Sequence, residues 1–431
     1  MKKTLICLMM SMVTMASAQM TDYHAHCIPA SYRDLVAAHG ALFDEGFPLP
    51  QWTAEAHLQL MDEAGIETAV LTLPAPHPWF GDSAETRREV RRLNEETAAL
   101  CRQHPGKFRF CAILPLPDVA AAIAEARYAL DTLGAAGVKL ATNVSGQYLG
   151  HPDLDTLMQF LSNRHALVIL HPHKPSPVND EVMRQTPLAM QEYLSETTRT
   201  VCNMISRNVL AKYPNMRVVV PHAGAYLPIA LPRMRSLLPV MQKNGLVGEI
   251  DFDKNISCLW FDLAGSPSEE TVKALLTITT RDRLLYGSDY PYVASPVIKN
   301  NIERMKGYME DNESQDITKP QNADSLIVRI AEIEVHKKYL QEYLEAAKDV
   351  GAESVAKEPG VVCIFPMQVD GEPTTIRIVE IYRDAASYKS HLQTPHFLKY
   401  KQGTLHMVKK LKLTDTKPLA PEAMQQIFRK W

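Results

Sequence analysis

Four short segments carry side chains that bind metals. They are Asp22-Tyr23-His24-Ala25-His26, His171-Pro172-His173, Val220-Pro221-His222-Ala223-Gly224 and Gly287-Ser288-Asp289-Tyr290-Pro291, and each closes a short, mostly apolar run. On an extended strand, side chains at i and i+2 point to one face. His24 and His26 can therefore reach one ion from one strand. A divalent ion held by imidazole and carboxylate, with one position left open, does chemistry rather than bracing a fold.

Those side chains need a scaffold that brings distant segments to one place. Apolar runs read as strands at 20–24, 68–73, 108–114, 137–141, 167–171, 217–222, 256–263 and 284–288. Between them lie helical patterns, among them 54–64, 83–103, 119–133, 153–163, 195–212 and 268–277. Alternating β and α elements predict a parallel sheet. Eight near-continuous apolar strands over about 290 residues predict a closed (β/α)8 TIM barrel. An open doubly wound sheet would want a glycine-rich phosphate loop after the first strand, where this chain has His24, His26 and Pro29. In a barrel of this kind the chemistry gathers at the C-terminal ends of the strands. The four segments close strands one, five, six and eight, so all face the same mouth.

The chain has 431 residues and a net charge of -3, which argues against a general nucleic-acid binder. Lys399, Lys401, Lys409, Lys410 and Lys412 read as a solvated face. Residues 1–19 read as a signal peptide. Lys2 and Lys3 precede an apolar stretch over 5–16, and Ala16-Ser17-Ala18 is a cleavage site of the A-x-A type. An exported protein is expected, periplasmic where the host has two membranes, with no insertion into the membrane. Beyond Cys7 the six cysteines are scattered, without C-x-x-C spacing, and are expected as free thiols in a large core.

The barrel domain is expected over 20–310, followed by a polar linker at 311–322. Over 323–415 the order becomes β-α-β-β-α-β, an α+β ferredoxin-like unit, with a tail at 416–431.

The first domain resembles the amidohydrolase superfamily, and within it the branch of aminocarboxymuconate-semialdehyde and salicylate-type decarboxylases. The matching residues are Asp22-Tyr23-His24-Ala25-His26 with Pro29, Met61-Asp62-Glu63-Ala64-Gly65-Ile66 and His171-Pro172. Pro214-Asn215-Met216-Arg217 leading to His222-Ala223-Gly224, and Tyr286-Gly287-Ser288-Asp289-Tyr290-Pro291, complete them. The resemblance implies one divalent ion, zinc or else manganese, held by His24, His26, His171 and Asp289. It implies His222 as an acid or base beside the ion, with Asp289 able to carry a proton. Lys139, at the end of strand four, is expected as a solvent or pocket cation rather than a bridge between two metals. An arginine that holds substrate carboxylate in the nearest members of the branch is replaced here by His57, which cannot offer a bidentate fork. Arg199 or Arg233 could serve instead, and His173 is expected to line the pocket, as could Trp52, Trp79 and Tyr193.

The second domain resembles the antibiotic biosynthesis monooxygenase (ABM) family, which includes quinol monooxygenases. The matching residues are Ile327-Val328-Arg329-Ile330-Ala331-Glu332-Ile333, Glu358-Pro359-Gly360, Tyr382-Arg383-Asp384-Ala385-Ala386-Ser387-Tyr388 and His391-Leu392-Gln393-Thr394-Pro395-His396-Phe397. The resemblance implies a homodimer and no cofactor for this domain. His391 and His396 either face a pocket for a phenolic substrate or cap and pack helices. The expected activity is metal-dependent decarboxylation of a small aromatic or unsaturated acid, without oxidation. The alternatives are hydrolysis of a lactone, ester or amide at the same metal, and ligand binding without turnover.

Overall fold

A computed structural model describes residues 20–43, 45–179, 181, 186–265, 267–309, 317, 326–358, 360–383 and 385–417. The expected leader, all but one residue of the expected linker and the tail beyond 417 lie outside the described residues. The chain divides into two compact units, 1–318 and 319–431. Among the described residues no helix is long and apolar enough to cross a membrane.

The first unit is a parallel barrel of eight strands in sequential order: β1 Met20–His26, β2 Ile66–Thr72, β3 Phe108–Ala112, β4 Gly137–Ala141, β5 Leu167–His171, β6 Arg217–Val220, β7 Leu259–Asp262 and β8 Leu284–Leu285. The last strand returns to the first. Tyr23 N–H donates to Tyr286 O (2.9 Å), Asp289 N–H to His24 O (2.8 Å) and His26 N–H to Tyr290 O (2.8 Å). Every residue of β4, β5, β6 and β7 is buried, as expected of strands covered on both faces.

Helix caps set several element boundaries. Thr53 and Asp82 accept backbone N–H groups at the starts of Ala54–Ala64 and Ser83–Gln103, and Gly65 ends the former in the left-handed conformation (φ 72°). The expected strand over 256–263 needs correction. Asp251 caps a short helix, Phe252–Ser257, so Ile256 is helical and β7 begins at Leu259. The expected helix over 195–212 is two, Glu192–Ser206 and Val209–Lys212, split at Asn208, whose φ of 53° cannot continue a helix. All six cysteines after Cys7 are free.

The second unit is a four-stranded antiparallel sheet of β9 Ile327–Val335, β10 Val361–Val369, β11 Glu372–Tyr382 and β12 Val408–Thr416, in the order β10-β11-β9-β12. Helix Leu340–Lys357 follows β9, and helices Ala385–His391 and Pro395–Thr404 precede β12. Ala331, Ile333, Ile376 and Ile378 of the sheet pack with Tyr343 and Ala347 of the long helix. Thr416, expected in the tail, ends β12.

Candidate metal centre and substrate pocket

Three imidazoles converge at the C-terminal mouth of the barrel. His24 and His26 leave β1 on one face, and His171 ends β5; all three are buried. Ring centroids lie 5.0 Å (His24–His26), 5.5 Å (His24–His171) and 4.9 Å (His26–His171) apart. A hydrogen bond fixes each ring on its Nδ1 side. His24 Nδ1 donates to Asp262 Oδ2 (2.8 Å), His26 Nδ1 to Thr72 Oγ1 (3.0 Å) and His171 Nδ1 to the Pro172 carbonyl (2.8 Å). That pattern leaves the three Nε2 lone pairs free to share one point.

Asp289 completes the ring from the end of β8. Its Oδ1 lies 3.3 Å from His26 Nε2 and 3.7 Å from His24 Nε2, and its Oδ2 lies 3.8 Å from His222 Nε2. His24 Nε2 and His26 Nε2 are buried and make no properly directed hydrogen bond. Buried polar atoms are rarely left so, and a cation between them would satisfy both. Three imidazoles and a carboxylate fit a borderline divalent ion of the zinc or manganese kind.

The local electrostatics agree. Burial opposes a charge on His24, but the Asp262 carboxylate outweighs it and lifts this imidazole to about 9. The same field attracts a metal cation, which would take the place of the proton on Nε2. Burial holds His26 down to about 4 and His171 well below the usual histidine range, so both imidazoles are neutral at pH 7. Burial pushes Asp289 up, yet His222 and His26 outweigh it and keep its carboxyl well below the carboxylate range.

The backbone is shaped for these positions. His222 (φ 55°) and Asp289 (φ 59°) both sit in the left-handed region that most side chains avoid. Gly287 is required by close approach, since a Cβ there would stand 2.8 Å from the His24 Cβ. Asp22 Oδ1 accepts from both His24 N–H and Ser288 N–H (3.0 Å each), tying the ends of β1 and β8 together.

Beside this cluster opens a cavity of about 460 Å³, lined by His171, His222, Asp289, Glu45, Tyr193 and Tyr292 among others. Of the aromatic residues expected there, Tyr193 lines the cavity. Trp52 and Trp79 do not; their indole N–H groups bond His57 and Ser145. None of His57, Arg199, Arg233 and His173, the candidates for contact with substrate, lies in the cavity wall. His57 is buried against the Tyr290 and Phe108 rings and does not line the cavity. Arg199 is paired with Glu196, one helical turn away, and bonds Tyr148. Arg233 is exposed on helix Leu227–Lys243. His173 also stays off the cavity lining, with its Nδ1 2.6 Å from Glu45 Oε1. Lys139 is neither solvated nor a lining residue. It is buried, its Nζ reaches only the Pro74 carbonyl at 3.5 Å, and burial lowers it to about 8.

Sequence reasoning missed Asp262 and Glu45. Asp262 ends β7 and is fully buried. Its Oδ2 holds His24, while its Oδ1 accepts from His222 N–H (3.0 Å) and Ala264 N–H (3.1 Å).

Residues 21–306 match the family model described as amidohydrolase. The chain belongs to the amidohydrolase family. The amidohydrolase barrel is 30% identical to the 6-methylsalicylic acid decarboxylase of Penicillium expansum, over 70% of this chain and 92% of that protein. A crystal structure of an amidohydrolase II is 32% identical, with a TM-score of 0.62, over 69% of this chain and 94% of the other. A dihydroxybenzoic acid decarboxylase from Polaromonas sp., solved with bound manganese and 2-nitroresorcinol, shares the fold at 18% identity and a TM-score of 0.58, over 70% of this chain and 97% of the other. Residues 326–403 match the antibiotic biosynthesis monooxygenase model, so the amidohydrolase barrel is fused to an ABM domain.

In the ABM domain His391 and His396 converge on Glu358. His391 Nδ1 lies 2.9 and 3.1 Å from the two carboxylate oxygens, and His396 Nε2 lies 2.5 Å from Oε1. These are hydrogen-bond lengths, shorter than the 3.3–3.8 Å separations around Asp289. Thr394 caps the helix that carries His396. Burial raises the Glu358 carboxyl, but bonds from His391 and His396 outweigh it and hold it below its ordinary value of 4.5. A carboxyl with a depressed folded pKa adds stability above its unfolded pKa and loses it as pH falls through the folded value. Glu358→Gln should therefore destabilise this domain by about 1–3 kcal/mol at pH 7. The deficit should shrink in acid, as pH falls from the ordinary value of 4.5 through the lower folded one and wild type loses its own carboxylate. Thermal melts of the full chain at pH 7 and in acid measure it.

Proposed function

We propose that this chain is a metal-dependent decarboxylase of a small hydroxylated aromatic or unsaturated carboxylic acid, working without oxidation. The observation that carries the reading is the convergence of three free Nε2 atoms and Asp289 beside the cavity, with His222 in the same wall. His24, His26, His171 and Asp289 would hold one ion, zinc or manganese. When bound, the ion supplies positive charge that orients the acid's oxygens and stabilises the electrons released as CO2 departs.

In decarboxylation the bond between ring carbon and carboxylate breaks, its electron pair stays on carbon, and a proton must replace CO2. Asp289, held deeply anionic, is a poor source of that proton. His222 is the better donor. It is half-buried, lines the cavity and is anchored through its backbone by Asp262. Apolar side chains such as Leu42, Phe47, Leu49 and Met190 make up much of the remaining wall. The names of the relatives favour decarboxylation over hydrolysis at the same residues. An exported homodimer, whose ABM domain acts on a related phenol, belongs to the same proposal.

The test pairs metal content by mass spectrometry with CO2 release from a hydroxybenzoic acid panel, for wild type and His24→Ala. The expected result is about one equivalent of metal in wild type, lost in the variant together with CO2 release. Metal with ester or lactone cleavage and no CO2 would assign hydrolysis instead. Ligand binding without any turnover would reduce the barrel to a binding protein.

A further inference from the structure

Glu45 is the carboxylate in the cavity that the chemistry above does not use. It lies in the loop after helix Ala30–Ala38, lines the cavity and is only 7% exposed. Its neighbours in the lining include Leu42, Phe47, Leu49 and Met190, all apolar. Burying a carboxylate in such a wall is costly unless its oxygens find partners. Here Tyr193 Oη donates to Oε2 (3.0 Å), while Oε1, though 2.6 Å from His173 Nδ1, makes no directed hydrogen bond and is left buried with an acceptor position open. Lys139, which does not line the cavity, adds a favourable charge.

The backbone holds this carboxylate in place before any ligand arrives. Leu188 N–H donates to the Glu45 carbonyl (3.2 Å). The next residue is Gly46, at φ 73°, where a Cβ would stand 3.3 Å from Pro187 Cα. The two loops are therefore packed together, and Glu45 does not need to swing in.

Glu45 is also close to the metal cluster. The Tyr193 ring that bonds it lies 6.1 Å, centroid to centroid, from the His171 ring. Among the described residues no lysine or arginine lines the cavity. A second carboxylate on a substrate would thus meet Glu45 with no cation to receive it, whereas a hydroxyl would find an acceptor.

We propose that Glu45 is a specificity-determining residue that accepts a hydrogen bond from a ring hydroxyl and rejects a second carboxylate, so that the cavity takes hydroxylated monocarboxylic acids. The proposal rests on the decarboxylase reading only for the orientation of the acid, with its carboxylate toward the His24–His26–His171 cluster.

The probes are salicylates carrying hydroxyl, methoxyl or carboxyl at each open ring position, bound to the metal-loaded full chain and followed by calorimetry. Wild type should bind the hydroxyl member of at least one position roughly 10- to 100-fold more tightly than its methoxyl and carboxyl partners. Glu45→Gln, which keeps shape and removes charge, should cut the preference over the carboxyl member about tenfold or more. Tyr193→Phe keeps the charge and should retain that rejection. Equal affinities across the wild-type series, a measurement that needs no variant, would overturn the proposal, as would an unchanged ratio in a folded Glu45→Gln protein. CO2 release is recorded separately on the same series. Discrimination by Glu45 without CO2 release would sink the decarboxylase reading and leave this one standing; CO2 release without discrimination would do the reverse.

Discussion

His222→Asn should lower the rate of CO2 release by about 10²–10⁴-fold while leaving the metal in place. The side chain sits between two functions, and the variant separates them. Its Nε2 faces Asp289 at 3.8 Å, and its ring lies 5.1 Å from that of His24. Its Nδ1 is buried and unbonded, while His24, His26 and His171 each anchor theirs. A ring pinned through Nδ1 suits a ligand, and a ring whose Nδ1 is unbonded and whose Nε2 faces a carboxylate suits a proton carrier. Asparagine keeps a polar group of similar reach but cannot carry a proton at neutral pH. Single-turnover CO2 release measured beside metal content decides the matter. Loss of metal in this variant would make His222 a ligand and remove it as the donor.

Asp262→Asn should weaken metal binding by about 10- to 100-fold, as loss of a partner behind a liganding imidazole commonly does. The carboxylate faces three donors: His24 Nδ1–H and the backbone N–H groups of His222 and Ala264. An amide has one acceptor oxygen, so its NH2 must face either His24 Nδ1–H or both backbone N–H groups, whichever way it turns. It also removes the charge that lifts His24 to about 9. Both consequences fall on ligand and proton donor together. CO2 release at saturating metal should therefore stay below wild type, unlike a variant that only weakens binding. Equilibrium dialysis against a metal series, followed by assay at saturation, separates the two effects. Unchanged affinity would show that the His24 ring is held by packing alone.

Much of this arrangement is legible in the sequence because strands impose a simple geometry. His24 and His26 share a face by spacing alone, and His171 and Asp289 stand where apolar runs stop. Asp262 obeys the same rule, ending β7, but a single acid after an apolar run has no spacing to mark it, and the apolar run begins at Ile256, inside the preceding helix. Arg199 and Arg233 show the converse limit. A residue type suited to carboxylates says nothing of its direction, and Arg199 turns along its own helix to Glu196. His391 and His396 stand five positions apart, but their shared partner Glu358 lies 33 residues before the first of them. Glu45, in an irregular loop, follows no period at all. Partners that meet only through tertiary packing leave no trace in local pattern.

The left-handed backbone at His222 and Asp289 has a consequence for anyone who would make this protein sturdier. Each position holds a side chain where glycine would rest more easily, at a cost of roughly 1–2 kcal/mol apiece. A search guided by melting temperature alone would find gains at these two residues and discard the chemistry with them. On the roles proposed for His222 and Asp289, robustness and reactivity are set against each other at these two points, and a more heat-tolerant form has to be sought elsewhere in the barrel.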